Sequence, residues 1–311
     1  MRRRTRFLAL LPALCLLLCG CAAAGSSPAG SDSLTRAPGD GPVPYIAPPF
    51  AASAFHGEPA SAPGEVRLDL SALADGYVAV SACAENRLKF QVLKEDDTYN
   101  YDLPCDGRPA VFPLQCGSGQ YAFRVLENVG ESKYAQIDFA EAEVVLSDEF
   151  QPFLRPSVYA DFGPDSVCVE KAAELASGCF SALEVVRAVY DYVCATVSYD
   201  AEKALAVQSG YLPDPDETLR SGKGICFDYA ALAAAMLRSQ GIPTKLIFGY
   251  VSPDELYHAW NMFYTEESGW VTVSFEVSGP DWARMDLTFS AGGADGAFIG
   301  DGSNYTDLYT Y

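Results

Sequence analysis

Apolar and polar residues trade places with two different periods along this chain, and the change falls near residue 150. Between residues 65 and 150 the period is two. Leu88, Phe90 and Val92 share one face with Lys89 and Gln91 opposite, Tyr121, Phe123 and Val125 repeat the pattern, and residues 76–81 alternate as well. Such alternation predicts strands with one buried face. The breaks at Glu95-Asp96-Asp97, Cys105-Asp106-Gly107 and Cys116-Gly117-Ser118-Gly119 predict turns. Residues 65–150 therefore read as an antiparallel β-sandwich-like domain of seven or eight strands. It carries no catalytic constellation.

Residues 155–311 read differently. Leu183, Val186, Val189, Tyr190, Val193 and Val197 recur at helical spacing behind Ser181 and Glu184, which are placed as a capping box. Residues 211–216 are a loop with Pro213 and Pro215, and residues 217–221 have room for one helical turn. Residues 226–240 are rich in Ala, Leu and Met, with Gly241 and Pro243 as a stop, and predict a helix. Residues 257–263 alternate as a strand. The fold class is α+β, a β domain followed by a mixed one.

The N-terminus stands apart from both. Arg2, Arg3, Arg4 and Arg6 precede an apolar run from Phe7 to Leu18 that is too short to span a bilayer. That is a signal-peptide pattern over residues 1–20. Leu18-Cys19-Gly20-Cys21 resembles a bacterial lipobox, which would put the lipid on Cys21. Residues 21–64, rich in Ala, Gly, Ser and Pro, read as a disordered tether. The expected location is extracytoplasmic, anchored to the bacterial cell membrane through that lipid only.

Charge narrows the partners. The chain has 21 basic and 41 acidic residues and a formal net charge of −20. Without the four signal-peptide arginines the balance is 17 against 41, or −24. Nucleic acid is a poor partner for such a surface. Three of the ten cysteines lie in the signal or lipobox, leaving Cys83, Cys105, Cys116, Cys168, Cys179, Cys194 and Cys226. An odd number leaves at least one thiol unpaired within the chain.

Cys226 is the candidate for that thiol. It falls in the first turn of the predicted helix, where unpaired amides and the helix dipole favour a thiolate. A nucleophilic thiol needs a base within hydrogen-bond reach. Of the two histidines, His56 lies in the tether and His258 on the predicted 257–263 strand. Alone, each residue fits an inert role as well, packing for the cysteine and a satisfied structural position for the histidine.

Together the motifs are more specific. Gly224-Ile225-Cys226-Phe227-Asp228-Tyr229-Ala230, then residues 236–243 (Met-Leu-Arg-Ser-Gln-Gly-Ile-Pro), then Tyr257-His258-Ala259-Trp260-Asn261, resemble the transglutaminase-like superfamily over roughly residues 185–311. The resemblance implies a papain-like core in which a cysteine at a helix start faces a histidine and an aspartate on neighbouring antiparallel strands. The family's acid commonly lies four residues after a Trp. Four residues after Trp270 is Ser274, which carries no charge; four after Trp282 is Asp286, followed by Leu287 in place of the usual proline. Asp286 is therefore the expected third member and Glu276 the runner-up. Residues 270–280 are expected as an extra hairpin between the His and Asp strands.

What this implies is acyl transfer or hydrolysis at protein or peptide amides, cell-wall peptide among them. Cys226 would be the nucleophile, His258 the base and Asp286 the residue orienting it, with Tyr199 a candidate oxyanion donor. No cofactor and no metal is implied. The competing reading is a catalytically inactive surface binding or adhesion protein that keeps the same fold as a scaffold.

Overall fold

The computed structural model describes residues 43–251, 256–266, 268–277, 283–286 and 305–311. The signal segment, the lipobox with Cys21, residues 21–42 of the expected tether and Trp282 lie outside the described residues.

The first half is built from β1 (Glu65–Asp69), β2 (Tyr77–Cys83), β3 (Leu88–Lys94), β4 (Asp97–Leu103), β5 (Ala110–Pro113), β6 (Gly119–Gly130) and β7 (Lys133–Val144). They form two antiparallel sheets, ordered β1-β2-β5 and β4-β3-β6-β7. The alternation that predicted them also orients them. Leu88, Phe90 and Val92 are buried on β3, and Tyr121, Phe123 and Val125 on β6. Phe90 meets Phe112 of β5 across the sandwich at 4.6 Å between ring centroids.

The second half adds α1 (Val167–Ala176), α2 (Ala182–Thr196), β8 (Ser198–Tyr199), α3 (Ala201–Ala206), α4 (Pro215–Ser221), β9 (Lys223–Gly224) and α5 (Cys226–Ser239). It closes with β10 (Thr244–Val251), β11 (Leu256–Thr265), β12 (Gly269–Val277), β13 (Ala283–Asp286) and β14 (Tyr305–Thr310), in sheet order β13-β12-β11-β10-β14. α2 starts where its capping box predicts: the Glu184 amide donates to Ser181 Oγ at 3.2 Å, and Glu184 Oε2 accepts from the Phe180 amide at 2.7 Å. Its predicted stripe is buried from Val186 to Val197, while Leu183 is only partly covered.

α5 is buried on every side from Asp228 to Ser239. Its alanines let α1, α2 and α4 pack around it while β10, β11 and β12 cover the rest. Asn261 of β11 ties these layers with polar bonds, donating from Nδ2 to the Ala230 carbonyl at 3.0 Å and accepting from the Tyr190 hydroxyl at 3.0 Å. Both groups are buried, so each bond also avoids the cost of an unmet polar atom.

Two expectations are revised here. Residues 43–64, expected as tether, lie along the folded body. The Tyr45 hydroxyl donates to the Gln240 carbonyl at 2.7 Å, the Ala54 amide to Tyr77 Oη at 3.1 Å, and the Ala60 amide to Ser81 Oγ at 2.8 Å. Low apolar content does not prevent ordering when the body supplies acceptors for the segment's amides and prolines reduce the entropy lost. The halves also share one apolar core: Val78, Phe90 and Phe112 cluster with Ala230, Ala231, Leu246, Ala259 and Tyr311. Tyr311 stacks edge-on against Tyr99 and Tyr101 of β4 at 5.5 and 5.4 Å.

Arg238, 2% exposed, stitches this junction. Its Nε donates to the Thr244 carbonyl at 2.9 Å, Nη1 to the Arg155 carbonyl at 3.0 Å, and Nη2 to the Tyr311 carbonyl at 3.2 Å. Replacing it with Met removes the side-chain donor from all three carbonyls, though the Leu246 amide still reaches that of Tyr311. Arg238→Met is expected to lower the unfolding free energy by about 3 kcal/mol in urea denaturation, well above the roughly 0.5 kcal/mol of an ordinary surface change.

Candidate active site

The approach to Cys226 is a tightly fitted run of backbone. α4 ends at Gly222 in the left-handed conformation (φ 62°), β9 pairs in parallel with β8, and Ile225 is extended before the chain turns into α5. Gly224 has no room for a side chain, since a Cβ there would sit 2.7 Å from that of Asp228. Asp228, in the same first turn, is fully buried, and its Oδ2 accepts the Ile225 amide at 2.8 Å. That bond satisfies one of the orphan donors at the helix start.

The same carboxylate is held from a second side. Lys203 Nζ of α3 lies 2.7 Å from Asp228 Oδ2 and donates to Tyr211 Oη at 2.6 Å, while the Tyr211 hydroxyl donates to Asp228 Oδ1. Burial, joined by the hydrogen bond and charge of Asp228, pushes the Tyr211 phenol well above its ordinary range. Asp200 caps α3, its Oδ1 accepting the Lys203 amide at 2.8 Å, and the Asp200 amide donates to the Gly224 carbonyl at 2.9 Å. α3 is thereby fixed to the strand that delivers Cys226.

The Cys226 thiol is half-buried. Burial is the largest influence on it and pushes it above the ordinary thiol value, and the Asp228 charge adds in the same direction. The amides of Ala259, Phe227 and Cys226 itself favour the thiolate and oppose this rise. The amides at the helix start thus favour a thiolate, in line with the sequence, but the balance lies above the ordinary thiol value. A short run of amides does not offset desolvation at this depth.

The Ala259 amide places the sulfur against β11 at the residue after His258. His258 is 8% exposed and pairs in register with Gly249 of β10. Its ring lies on the same side of the strand as that of Trp260, with centroids 6.5 Å apart. Gly249 makes room for this arrangement, since a Cβ there would lie 2.6 Å from the Trp260 indole and 2.0 Å from the Thr306 carbonyl of β14. Tyr199 is close enough to Cys226 for the sulfur's charge to add to burial in raising its phenol. His56, the other histidine, is bound at Nδ1 to Asp69 Oδ2 of β1 at 3.1 Å, away from this cluster.

The expected acid sits further off in the sheet. Residues 269–277 form a single strand, β12, between the His strand β11 and β13, so the expected hairpin over 270–280 is not what separates them. The Asp286 backbone pairs with Ser274, and that of Glu276 with Arg284. The side chains of Asp286, Glu276 and Ser274 lie outside the described residues.

A cleft of about 240 Å³ is lined by Asn100, Tyr159, Phe248, Tyr257, Tyr309 and Tyr311; neither Cys226 nor His258 is in its lining, and it adjoins them through their neighbours. Phe248 packs on Phe227, the neighbour of Cys226, at 4.8 Å, and Tyr257 precedes His258. Asn100 comes from β4, so the β half contributes to the cleft wall. A larger hollow of about 590 Å³, with Arg108, Asp161 and Asp214 among its lining, likewise contains neither Cys226 nor His258 and includes none of their sequence neighbours. Nothing in the sequence pointed to Lys203, Tyr211 or the cleft tyrosines. Asp228 stood in the quoted motif without a role.

Residues 169–275 match the Transglutaminase-like superfamily. This part of the chain is transglutaminase-like. The chain is similar to a mouse protein named kyphoscoliosis peptidase, 29% identical over 150 residues. Those residues are 45% of this chain and 20% of that one, so the chain spans about a fifth of its relative's length. Among solved structures it resembles a provisionally named cysteine protease from Cytophaga hutchinsonii, with 14% identity, 74% of this chain and 79% of that one covered, and a TM-score of 0.37. It also resembles red sea bream transglutaminase, with 12% identity, 68% and 48% covered, and a TM-score of 0.29.

The close approach at β10 gives a local test. Gly249→Ala would drive a methyl into the Thr306 carbonyl, and the expected loss is about 2 kcal/mol of stability, read as a lowered melting temperature with β14 amides exchanging faster.

Proposed function

We propose that this chain is a thiol enzyme that transfers or hydrolyses acyl groups at protein or peptide amides. The observation that carries the reading is the Ala259 amide against the Cys226 sulfur, one residue from His258. In this scheme the Cys226 thiol passes its proton to His258, and the thiolate attacks the amide carbonyl carbon. The imidazolium then gives that proton to the leaving nitrogen as the C–N bond breaks and a thioester forms. Water or an amine attacks the thioester and releases the acyl group. Backbone amides at the start of α5, with Tyr199 beside them, would hold the developing oxyanion. Asp286 is the proposed orienting acid.

Substrate fit comes from the aromatic cleft. Tyr257, Tyr309 and Tyr311 present flat apolar faces with polar edges, suited to an extended peptide flanking the scissile amide. Display outside the cell on a lipidated Cys21, with cell-wall peptide among the substrates, belongs to the same proposal; its support is the lipobox resemblance alone.

Labelling and kinetics test this reading. Because an adjacent imidazolium favours the thiolate, His258→Ala is expected to move the pH midpoint of Cys226 alkylation upward by about one unit. A slow profile that ignores His258 would instead support the inert scaffold. With a glutamine-bearing peptide as substrate and a fluorescent amine as acceptor, Asp286→Ala is expected to reduce kcat about a hundredfold. The same loss from Glu276→Gln, with Asp286→Ala active, would transfer the acid's role to β12. Tyr257→Ala is expected to raise KM several-fold with kcat little changed.

A further inference from the structure

The buried carboxylate of Asp228 sets an electrostatic problem for any nucleophile at Cys226. It lies two residues away in the same helical turn, wholly out of water, and its negative charge opposes a second negative charge on the sulfur. Its role as helix cap ties it to the Ile225 amide, so it cannot swing away. Titratable neighbours of Cys226 include Tyr199 on β8 and Tyr257 on β11, beside His258, and neither tyrosine supplies a positive charge. The compensating cation comes from α3, which folds over the start of α5 and sets Lys203 Nζ 2.7 Å from Asp228 Oδ2. Tyr211 closes the cluster, accepting from Lys203 and donating to Asp228.

We propose that Lys203 is a positioning residue for Cys226: through the Asp228 carboxylate and Tyr211, its ammonium cancels the buried negative charge of Asp228 beside the nucleophile. The inference rests on the thiol-enzyme reading above and adds a residue from a different element. Capping alone does not need Lys203, because the Ile225 amide and the Tyr211 hydroxyl already occupy both carboxylate oxygens. The lysine side chain is also 29% exposed, so a neutral, unbranched replacement can keep α3 helical and the fold intact.

The test follows iodoacetamide labelling of Cys226 against pH, read at the Cys226 peptide by mass spectrometry so that the other cysteines do not interfere. No substrate is required. Lys203→Met is expected to label about tenfold more slowly at pH 7, with its profile moved to higher pH, and Lys203→Arg to recover most of the rate. Asp228→Asn should move the profile the opposite way, and adding Lys203→Met to Asp228→Asn should slow labelling far less than it slows the parent. Circular dichroism and melting temperature check that each variant is folded. A Lys203→Met profile matching the parent overturns the proposal, as do shifts in the same direction for Lys203→Met and Asp228→Asn, which would mark a cap and nothing more. If Asp228→Asn does not fold, the Met and Arg variants at 203 still decide it. Failure of the catalytic reading looks different: labelling would be indifferent to His258→Ala and turnover absent, whatever Lys203 does.

Discussion

The burial of α5 on every side from Asp228 to Ser239 is the constraint on which the rest of this structure depends. A helix covered on all sides has no freedom to tilt or slide, so the residue at its first turn is fixed relative to every layer around it. That fixity is useful at Cys226 and expensive at the same point. The thiol, the Asp228 carboxylate and the orphan amides are all withdrawn from water together. Each needs a partner brought by a different element: Ala259 from β11 for the sulfur, Lys203 from α3 and Tyr211 from the following loop for the carboxylate, and Asp228 itself for the Ile225 amide. Burial outweighs the amides at the sulfur, so the helix start alone does not make a thiolate here. On the proposed thiol-enzyme reading, the thiolate would then depend on a second charge, the imidazolium, and on the neutralisation of Asp228.

The same burial joins the two halves. α5 can be enclosed only if its outer alanines, Ala230 and Ala231, find apolar cover, and they find it in a cluster that runs into the β-sandwich. Tyr311 meets Tyr99, Tyr101 and Tyr159 edge-to-face across the seam, at 4.7 to 5.5 Å between centroids, a geometry that suits aromatic quadrupoles, and Tyr101 lies tilted against Tyr159. Since Asn100 and Tyr257 line one cleft, the β half is also a wall of the cleft that adjoins the candidate site. Arg238, bonded to carbonyls from three separate stretches, holds the seam in register.

What the sequence disclosed follows from which forces are local. Period-two alternation placed Phe90, Phe123 and Val125 inside, because a strand's side chains point where the pleat sends them. Ser181 and Glu184 announced α2, because capping is settled within four residues. Cys226 and His258 were legible through motif spacing and fell on a helix start and a strand as expected. The strap over 43–64 was not legible: its composition is that of a tether, and its order comes from acceptors tens or hundreds of residues away, such as Gln240 for Tyr45. Lys203 and Tyr211 were invisible for the same reason. Nothing within the 201–211 segment shows that Asp228 will sit against it.

Spacing from Trp residues and position in the sheet bear differently on the third member. The first tryptophan rule lands on Ser274, on the strand directly beside the histidine strand; the second lands on Asp286, which is Ser274's cross-strand partner on β13. Both rules thus reach the same row of the sheet, one strand apart. Adjacent strands are about 4.8 Å apart, so an acid on β13 starts about 10 Å of sheet from β11, twice the span from β12. A carboxylate on β13 must therefore act across the intervening strand β12. Glu276 needs no such crossing, but it is offset from the tryptophan spacing by two residues. The choice between the two acids is thus a choice between motif spacing and strand adjacency as the stronger constraint on an imidazole.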